Sequence, residues 1–318
     1  MKQVLIQCAE VLVVSYRKII KFAWIWPRIF KLLTNKSMKR IILFALAALV
    51  AFPQVGAAKK DKSEGLKVMS YNIRYGSADD GTNKWDYRWP ATIEMLNDVK
   101  PDVFGVQEAL DFQLTHVKEF ADNYNFVGVG REDGKSDGEH MAIFWNKKTV
   151  KVVKWGTFWL SETPEKPSMG WDAACFRTAT WALMKDKKTG NKFYFVNTHL
   201  DHVGKEARKL GLKLIVDRIA DINPEGYPMV LTGDFNVTSD DPCLVDLDKV
   251  MTSTRKIAKK TDNKGTFNGW RKDREGPVID FIYVSGFSSV LECQTITKEY
   301  AKKPFISDHY PVMSVLVF

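Results

Sequence analysis

The chain has 318 residues, of which 45% are hydrophobic, and its 10 Trp and 19 Phe suit a sizeable core, so an intrinsically disordered protein is excluded. The formal net charge is +9, but nine of the 47 Lys and Arg and only one of the 38 Asp and Glu lie in residues 1–58. The remaining 38 basic and 37 acidic residues nearly balance, so the folded part has no overall excess of positive charge that would indicate a nucleic acid partner.

Residues 38–58 have the layout of a secretory signal peptide. Two basic residues precede an apolar run from Ile41 to Phe52, and small residues end the segment. We therefore expect cleavage near Ala57 or Ala58 and an exported protein, either periplasmic or secreted. An uncleaved anchor is the alternative, but an apolar run this short fits a signal peptide better. Residues 1–37 are then either a basic lead or the product of a misassigned start.

Residues 64–318 are predicted to form one domain, because no linker, low-complexity stretch or repeat interrupts them. Short apolar runs rich in β-branched and aromatic residues, bounded by turn residues, predict strands. A helical stripe at Leu212, Ile215, Val216 and Ile219 predicts a helix in the segment that follows Gly204. Two more helices are predicted at 90–99 and 110–120. Many strands with few helices indicate packed sheets covered by helices.

The predicted strands are LKVMSYNI, DVFGVQ, MAIFWN, KVVKWGTFWL, TATWALM, KFYFVNTHL, YPMVLTGDF, PVIDFIYV and YPVMSVLVF. Three cysteines follow the signal peptide, Cys175, Cys243 and Cys293. This odd number without metal-type spacing allows at most one disulfide, and we expect isolated buried side chains.

Polar residues suited to hold a metal ion or to move a proton stand at the ends of these strands. They are Asn72, Glu108, His199, Asp234, Asn236 and Asp280, with Asp308 and His309 just before the last strand. Taken singly, each suits a turn, a cap or an ordinary hydrogen-bonded histidine. Because strand ends on one side of a sheet converge, the set predicts a single crevice.

The donor types in this set indicate the chemistry. Carboxylate and amide oxygens without a Cys cluster favour Mg²⁺ or Mn²⁺ over Zn²⁺. The sequence has no glycine-rich Walker loop, no G-x-S-x-G elbow and no kinase signature. Metal-assisted hydrolysis of a phosphate ester, in which a His backed by a carboxylate activates water, is the reaction that this set predicts.

In this order, SYNIRY, VQE, NTHLDH, GDFN, IDFIYV and SDHYPV resemble the motif series of the endonuclease/exonuclease/phosphatase superfamily, whose deoxyribonuclease-like members are metal-dependent phosphoesterases. The resemblance spans Leu66–Phe318. It implies an α+β fold in which two packed β-sheets form a sandwich flanked by helices, that is, a four-layer α/β sandwich. It also implies divalent-metal-dependent cleavage of phosphoesters.

The resemblance implies a metal site and a catalytic set. Glu108 matches the principal ligand of Mg²⁺ (or Mn²⁺), with Asn72 and Asp308 as direct or water-mediated ligands. The residues that match catalytic positions are Asp234 and Asn236, which orient water and phosphate, His309 with its carboxylate partner Asp280, and His199 with the orienting carboxylate Glu139. Arg177 matches a phosphate-binding position, to which Asn236 and His199 also contribute. Either His309 with Asp280 or Asp234 is placed to take the proton of the attacking water.

Several positions depart from the deoxyribonuclease pattern or lie at its edge. Asp137 stands where those enzymes carry a Tyr that contacts nucleic acid, which disfavours DNA as the substrate. Trp159 and Trp171 lie in a long connection that we place at the rim of the site, either to stack on a base or sugar or to pack the loop. Asp172 is a candidate to orient Arg177 by a charge-assisted pair.

The sequence thus predicts an exported, metal-dependent hydrolase of phosphoester bonds, either a phosphodiesterase or a phosphatase. One alternative is an endonuclease or exonuclease acting on DNA or RNA, and another is a binding protein that keeps the fold without catalysis. The expected partner is a phosphoester substrate, which is a small molecule, a lipid headgroup or a nucleic acid. No obligate protein partner is indicated, and we expect a monomer.

Overall fold

A computed structural model of the chain describes residues 65–273 and 276–318, and thirteen strands in these ranges form two mixed sheets. The strands are β1 Leu66–Asn72, β2 Val103–Gln107, β3 Tyr124–Val127, β4 Ile143–Asn146, β5 Val150–Trp159, β6 Thr178–Asp186, β7 Lys192–His199, β8 Met229–Asp234, β9 Thr252–Ser253, β10 Lys260–Thr261, β11 Asp280–Ser285, β12 Ser289–Thr295 and β13 Val312–Val317. One sheet has the order β10-β12-β13-β1-β2-β4-β3 and the other β5-β6-β7-β8-β11-β9.

The helices of the described ranges are α1 Trp85–Val99, α2 Asp111–Phe120, α3 Lys205–Ile222 and the short α4 Val245–Val250 and α5 Thr254–Ile257. Helix α2 begins as predicted, since Leu110 is its N-cap and the Leu110 N–H donates to the Gln113 side chain at 3.1 Å. Helix α1 begins at Trp85, before the predicted start at Pro90, so Pro90 lies inside the helix. One missing N–H near a helix start removes only one hydrogen bond, and packing of the helix outweighs that loss.

Strand alternation sorts the apolar residues into three clusters, one between the sheets and one on each outer face. On β1, Val68 belongs to the cluster between the sheets, while Met69 belongs to the cluster under α1 and α2. On β8, Val230 lies between the sheets and Leu231 packs with residues of α3 such as Leu212. Helix, sheet, sheet and helix are therefore stacked, which confirms the four-layer sandwich.

A buried polar group joins the two sheets directly beneath the strand ends. Nε2 of Gln107 donates to Oδ1 of Asn197 at 2.7 Å, and Oγ1 of Thr232 donates to the same oxygen at 3.0 Å. Gly105 is required here, because a Cβ atom at this position would lie 2.3 Å from Asn197 Oδ1. These bonds fix β2 against β7 and β8, and so fix the residues that follow those strands.

The described ranges contain no candidate membrane-spanning helix and no disulfide. Within residues 65–273 and 276–318, none of the helices combines the length and the apolar character that crossing a membrane requires. Cys175, Cys243 and Cys293 are all free thiols, as expected, but the expected burial is found only for Cys293, because Cys175 and Cys243 are half-buried. The predicted signal peptide at 38–58 and the segment 1–37 lie outside the described residues.

Candidate active site

Strand register brings the predicted residues to one edge of the sandwich. On the parallel pair β7 and β8, His199 lies opposite Asp234, and on the antiparallel pair β8 and β11, Asp280 lies opposite Asp234. On the parallel pair β1 and β2, Asn72 lies opposite Gln107, so that Glu108 follows at the same edge. The convergence expected from strand ends is present in the structure.

Asp234 lies between two histidines. Its Oδ2 atom is 3.5 Å from Nε2 of His199 and 3.6 Å from Nε2 of His309. The other ring nitrogen of His309, Nδ1, donates to Oδ2 of Asp280 at 2.8 Å. The ring edge of Phe267 also contacts the His309 ring, with 5.0 Å between centroids, so His309 is held on several sides.

The two histidines have opposite electrostatic surroundings. Burial lowers the pKa of His309, but the negative charges of Asp280 and Asp234 outweigh burial and raise it to about 10. Burial, and then the positive charge of Arg177, hold the pKa of His199 well below its usual range. His309 is therefore cationic at neutral pH while His199 is neutral.

The carboxyl of Asp234 has a raised pKa. Its burial and the neighbouring charge of Asp280 raise this pKa to about 7, against the hydrogen bonds that favour its ionised form. Those bonds come from Nδ2 of Asn72 at 3.0 Å and from the backbone N–H of Asn236 at 2.9 Å. A carboxylate of this kind can accept a proton near neutral pH.

Glu108, Asn72 and Asp308 form the acidic end of the site. Nδ2 of Asn72 donates to Oε1 of Glu108 at 2.9 Å, while Oδ1 of Asn72 accepts from the backbone N–H of Arg74 at 3.0 Å. Asp308 is buried, and burial together with the nearby charge of Glu108 raises its pKa. Arg74 lies close by, with Nε 3.7 Å from Asp308 Oδ2. Asn72 thus positions Glu108 through its amide nitrogen.

Groups of acidic and histidine side chains in this region could hold a metal ion. One group is Glu108, His199 and Asp234, and another is Asp234, Asp280 and His309; within each, the candidate ligand atoms lie within 4.8 Å of one another. The first group and Asp308 place carboxylates of like charge together, an arrangement that a divalent cation stabilises. The donor set therefore fits a hard metal ion.

Three residues that line the cleft have a strained backbone. Arg74, Glu108 and Asn236 have φ angles of 60°, 63° and 53°, a left-handed conformation that is uncommon for residues other than glycine. Each such residue costs roughly 1–3 kcal/mol, which the surrounding structure must offset. This left-handed backbone conformation directs the side chains of all three residues into the same cleft.

His199 is oriented by Asn236. Nδ2 of Asn236 contacts Nε2 of His199 at 3.0 Å and also donates to the Leu200 carbonyl at 3.0 Å. Because an amide nitrogen donates, Nε2 of His199 accepts and its proton lies on Nδ1. That Nδ1 is buried and has no hydrogen-bond partner in the described structure.

Glu139, which was expected to orient His199, lies in the same cleft but contacts Arg131. Its Oε2 accepts from Nη1 of Arg131 at 2.7 Å. Burial is the main cause that raises the pKa of Glu139. The structure thus brings Glu139 close to the site without the predicted hydrogen bond to His199.

Arg177 is buried and paired with Asp201, which sequence reasoning missed. Nε of Arg177 donates to Oδ2 of Asp201 at 3.2 Å. Asp172 instead accepts from the backbone N–H of Ala207 at 2.7 Å and so caps α3, and its predicted pairing with Arg177 is wrong. Asp201 and its neighbour His202 belong to the NTHLDH motif, which was the available signal.

These residues line a cleft of about 490 Å³. The carboxyl and guanidinium side chains of its lining are those of Glu108, Glu139, Asp234 and Asp308 and those of Arg74, Arg131 and Arg177, and His202 also lines it. Trp159 packs the rim, because it is buried and its Nε1 donates to the Arg131 carbonyl at 2.7 Å. Of the two readings of Trp159, the packing role is the one that the structure shows.

Comparisons with known proteins agree with this architecture. The family model described as Endonuclease/Exonuclease/phosphatase family matches residues 69–309. A curated relative, uncharacterized protein L388 of Acanthamoeba polyphaga mimivirus, is 24% identical over 273 residues, which cover 79% of this chain and 99% of the relative.

Solved structures include more similar proteins. The mannosyl-6-phosphatase of Bacteroides thetaiotaomicron VPI-5482 is 36% identical with a TM-score of 0.77, covering 80% of this chain and 100% of that one. An endonuclease/exonuclease/phosphatase from Bacteroides vulgatus is 38% identical with a TM-score of 0.74, covering 80% and 99%. TDP2 of D. rerio, solved with a single strand DNA product, is 18% identical with a TM-score of 0.63 over 80% and 100%, and shares the fold.

Proposed function

This chain belongs to the Endonuclease/Exonuclease/phosphatase family, and from that premise we propose that it hydrolyses small phosphomonoesters with Mg²⁺ or Mn²⁺ as cofactor. Family membership supports phosphoester hydrolysis as the general activity. The observation that carries the proposal is the Asp280–His309–Asp234–His199 chain of side chains beside the carboxylates of Glu108 and Asp308.

Glu108 is proposed as the principal metal ligand, with Asp308 as a further ligand and Asn72 as the residue that holds Glu108 in place. Their oxygen donors suit Mg²⁺ or Mn²⁺ better than softer metals. When bound, the metal ion neutralises charge on the phosphoryl group and on the oxygen of the leaving alcohol.

Proton transfer is assigned to Asp234. His309 already carries a proton between two carboxylates, so it has no free site to accept another at neutral pH. The raised pKa of Asp234 suits a group that takes a proton from the attacking water. Cationic His309 then stabilises negative charge on the phosphoryl oxygens, and Arg177 binds the phosphoryl group through the N–H groups that Asp201 and His202 leave free. Asn236 acts through His199, because both N–H bonds of its amide are already donated to His199 and Leu200.

Three observations favour a small phosphomonoester over nucleic acid. The cleft volume of about 490 Å³ suits a small ligand. Asp137, near the cleft, is exposed and acidic, which is unfavourable for a polyanion. The 36% identical Bacteroides thetaiotaomicron protein is a mannosyl-6-phosphatase, which supports a sugar phosphate as the substrate class.

The test is a substrate panel on protein treated with a chelator and then supplied with Mg²⁺ or Mn²⁺. The panel contains a hexose 6-phosphate, p-nitrophenyl phosphate, bis(p-nitrophenyl) phosphate and supercoiled plasmid, at low and physiological salt. We expect metal-dependent release of inorganic phosphate from both monoesters. Salt-sensitive plasmid nicking without turnover of small substrates would support the nuclease alternative instead. No turnover of any substrate would support the non-catalytic alternative.

Export is proposed on separate grounds, namely the signal-peptide pattern of residues 38–58. N-terminal sequencing of protein purified from its native cells is the direct measurement. We expect a mature terminus near Ala58 or Lys59 in the fraction outside the cytoplasm. An intact terminus at Met1 or Met38 on cytoplasmic protein would refute export.

A further inference from the structure

A third histidine, His202, lines the cleft with a fixed hydrogen-bond role. Nη2 of Arg177 contacts Nδ1 of His202 at 2.9 Å. Because a guanidinium nitrogen only donates, Nδ1 must accept, and the single proton of the neutral ring lies on Nε2. His202 therefore presents an N–H donor on the side of the ring that faces away from Arg177.

Asp201 keeps this arrangement rigid. It is buried and accepts hydrogen bonds from the backbone N–H groups of Ala174, Val203 and Gly204 at 3.1, 2.9 and 2.7 Å, in addition to Nε of Arg177. With Nε held by Asp201 and Nη2 held by His202, the guanidinium cannot rotate without breaking both bonds.

Burial orders these residues by depth in the cleft. His199 and Arg177 are each only 5% exposed, whereas His202 is exposed. A phosphoryl group that contacts Arg177 and His309, both of which are buried, lies deep, so the alcohol to which it is esterified must extend outward. His202 lines the same cleft on that outward side.

We propose that His202 determines specificity by donating a hydrogen bond from Nε2 to a hydroxyl group of the esterified alcohol. Asp201 acts as a positioning residue through Arg177. This inference rests on the proposed phosphomonoesterase function and deepens it, because it selects polyhydroxylated alcohols such as sugars over aryl or alkyl alcohols. A site that donates a hydrogen bond to a substrate hydroxyl discriminates against analogues that lack the hydroxyl.

Two substitutions separate substrate contact from structural support. In His202→Asn, the side-chain oxygen lies near the place of the histidine Nδ1 and can still accept from Arg177, but no group replaces the histidine Nε2. Gln places an N–H donor near the place of Nε2 but has no acceptor at Nδ1. Because His202 is exposed, we expect His202→Asn and His202→Gln both to fold, which thermal unfolding verifies.

The measured quantity is kcat/KM for a hexose 6-phosphate and for p-nitrophenyl phosphate, whose alcohol has no spare hydroxyl. We expect His202→Asn to lower kcat/KM for the sugar phosphate by roughly 3- to 10-fold, the effect of one neutral hydrogen bond, and to leave the aryl phosphate unchanged. His202→Gln should retain the wild-type preference for the sugar phosphate, although loss of the acceptor for Arg177 lowers kcat/KM for both substrates by the same factor. His116→Asn is the matched control, because Nδ1 of His116 also accepts from a neighbour, Nε1 of Trp85, on α2 and outside the cleft.

Equal losses on both substrates in His202→Asn, which keeps the acceptor for Arg177, would overturn the inference, since they would show that the ring does not distinguish the two alcohols. Unchanged kcat/KM on both substrates in both variants would also overturn it. If the wild-type protein hydrolyses neither monoester, the proposed function itself fails and the assignment of His202 fails with it.

Discussion

Nδ1 of His309 donates to Oδ2 of Asp280 at 2.8 Å, and both side chains are buried. Burial alone would make a histidine harder to protonate, yet the charges of Asp280 and Asp234 raise the pKa of His309 to about 10. The ring is consequently held in one orientation and one charge state across the neutral pH range.

Substitution of His309, Asp280 or His199 should lower the turnover number. We expect His309→Ala to lower kcat by about 10²- to 10³-fold, the usual cost of removing one group that stabilises charge in the transition state. His199→Ala should also lower kcat, because it removes the ring that lies 3.5 Å from Asp234, the proposed proton acceptor. Asp280→Asn removes a negative charge next to His309, so its kinetic effect should resemble that of His309→Ala more than that of His199→Ala. Steady-state kinetics with saturating Mg²⁺ provide the comparison.

An NMR titration supplies an independent measurement for the same pair. Loss of the Asp280 charge should lower the pKa of His309 in Asp280→Asn, because the raising effect weakens while burial remains. In the kinetic comparison, a wild-type rate for His309→Ala or His199→Ala would remove that histidine from the mechanism. An unchanged pKa of His309 would show that Asp280 is not its charge partner.

The metal assignment depends on Glu108. Glu108→Gln keeps the size of the side chain but removes one negative charge, so Mn²⁺ affinity and turnover should both fall by more than about 10-fold. Calorimetry with Mn²⁺ measures binding without reference to activity. Glu119→Gln, an exposed change on α2, is the control and should behave as wild type. Unaltered Mn²⁺ affinity in Glu108→Gln would contradict the assignment.

The residues at the strand ends could be predicted from the sequence because a strand is recognised from its own run of apolar residues, without tertiary information. Apolar runs of strand length mark the sheets, and a residue that directly follows a buried strand must emerge at its end. Parallel pairing then places His199 opposite Asp234, and antiparallel pairing places Asp280 there too. Convergence of these three residues requires no knowledge of loop paths.

Pairings between loops were less predictable. Asp172 and Asp201 are both acidic and both accept backbone N–H bonds around the start of α3, and only tertiary packing decides that Asp201 pairs with the guanidinium of Arg177. Glu139 similarly contacts Arg131, which begins the turn between the two residues. Sequence position specifies which side chains are present in a loop, whereas tertiary packing decides which of them meet.

Arg88 is another feature without a sequence signal. Its buried guanidinium donates to the backbone carbonyls of Asn83 at 2.6 Å, Ile73 and Ile306 at 2.8 Å each, and Arg74 at 3.3 Å. It thereby ties the loop after β1 to the segment that leads to Asp308. Arg88→Met would leave these carbonyls without donors, so we expect a loss of about 3 kcal/mol or more in the free energy of unfolding.

Urea unfolding followed by circular dichroism measures the Arg88 effect. Arg271→Met is a matched control, because the side chain of Arg271 is half-exposed and its ion pair with Asp273 lies at the surface. Exposed pairs contribute little, so the control should lie within about 0.5 kcal/mol of wild type. Equal stability of Arg88→Met and Arg271→Met would show that the carbonyls find other donors.

Asp201 offers a test through pH. Burial raises the pKa of its carboxyl, but hydrogen bonds from the backbone N–H groups of Gly204, Val203 and Ala174, and then the charge of Arg177, outweigh burial and lower the pKa to about 2. Because this folded-state pKa lies below the ordinary value of 3.8, the ionised carboxylate stabilises the fold above about pH 4. That contribution is lost as the pH falls toward 2.

Asp201→Asn should therefore reduce the free energy of unfolding by about 1–3 kcal/mol at pH 7, the range for a buried hydrogen-bonded group. The difference from wild type should shrink between pH 5 and pH 2, because the wild-type carboxylate becomes protonated there and loses its advantage. Urea unfolding across this pH range measures both quantities. Asp217→Asn, an exposed change on α3, should show neither effect. A difference that stays constant from pH 5 to pH 2 would mean that Asp201 acts by shape alone, since only the loss of an ionised carboxylate can make the difference depend on pH.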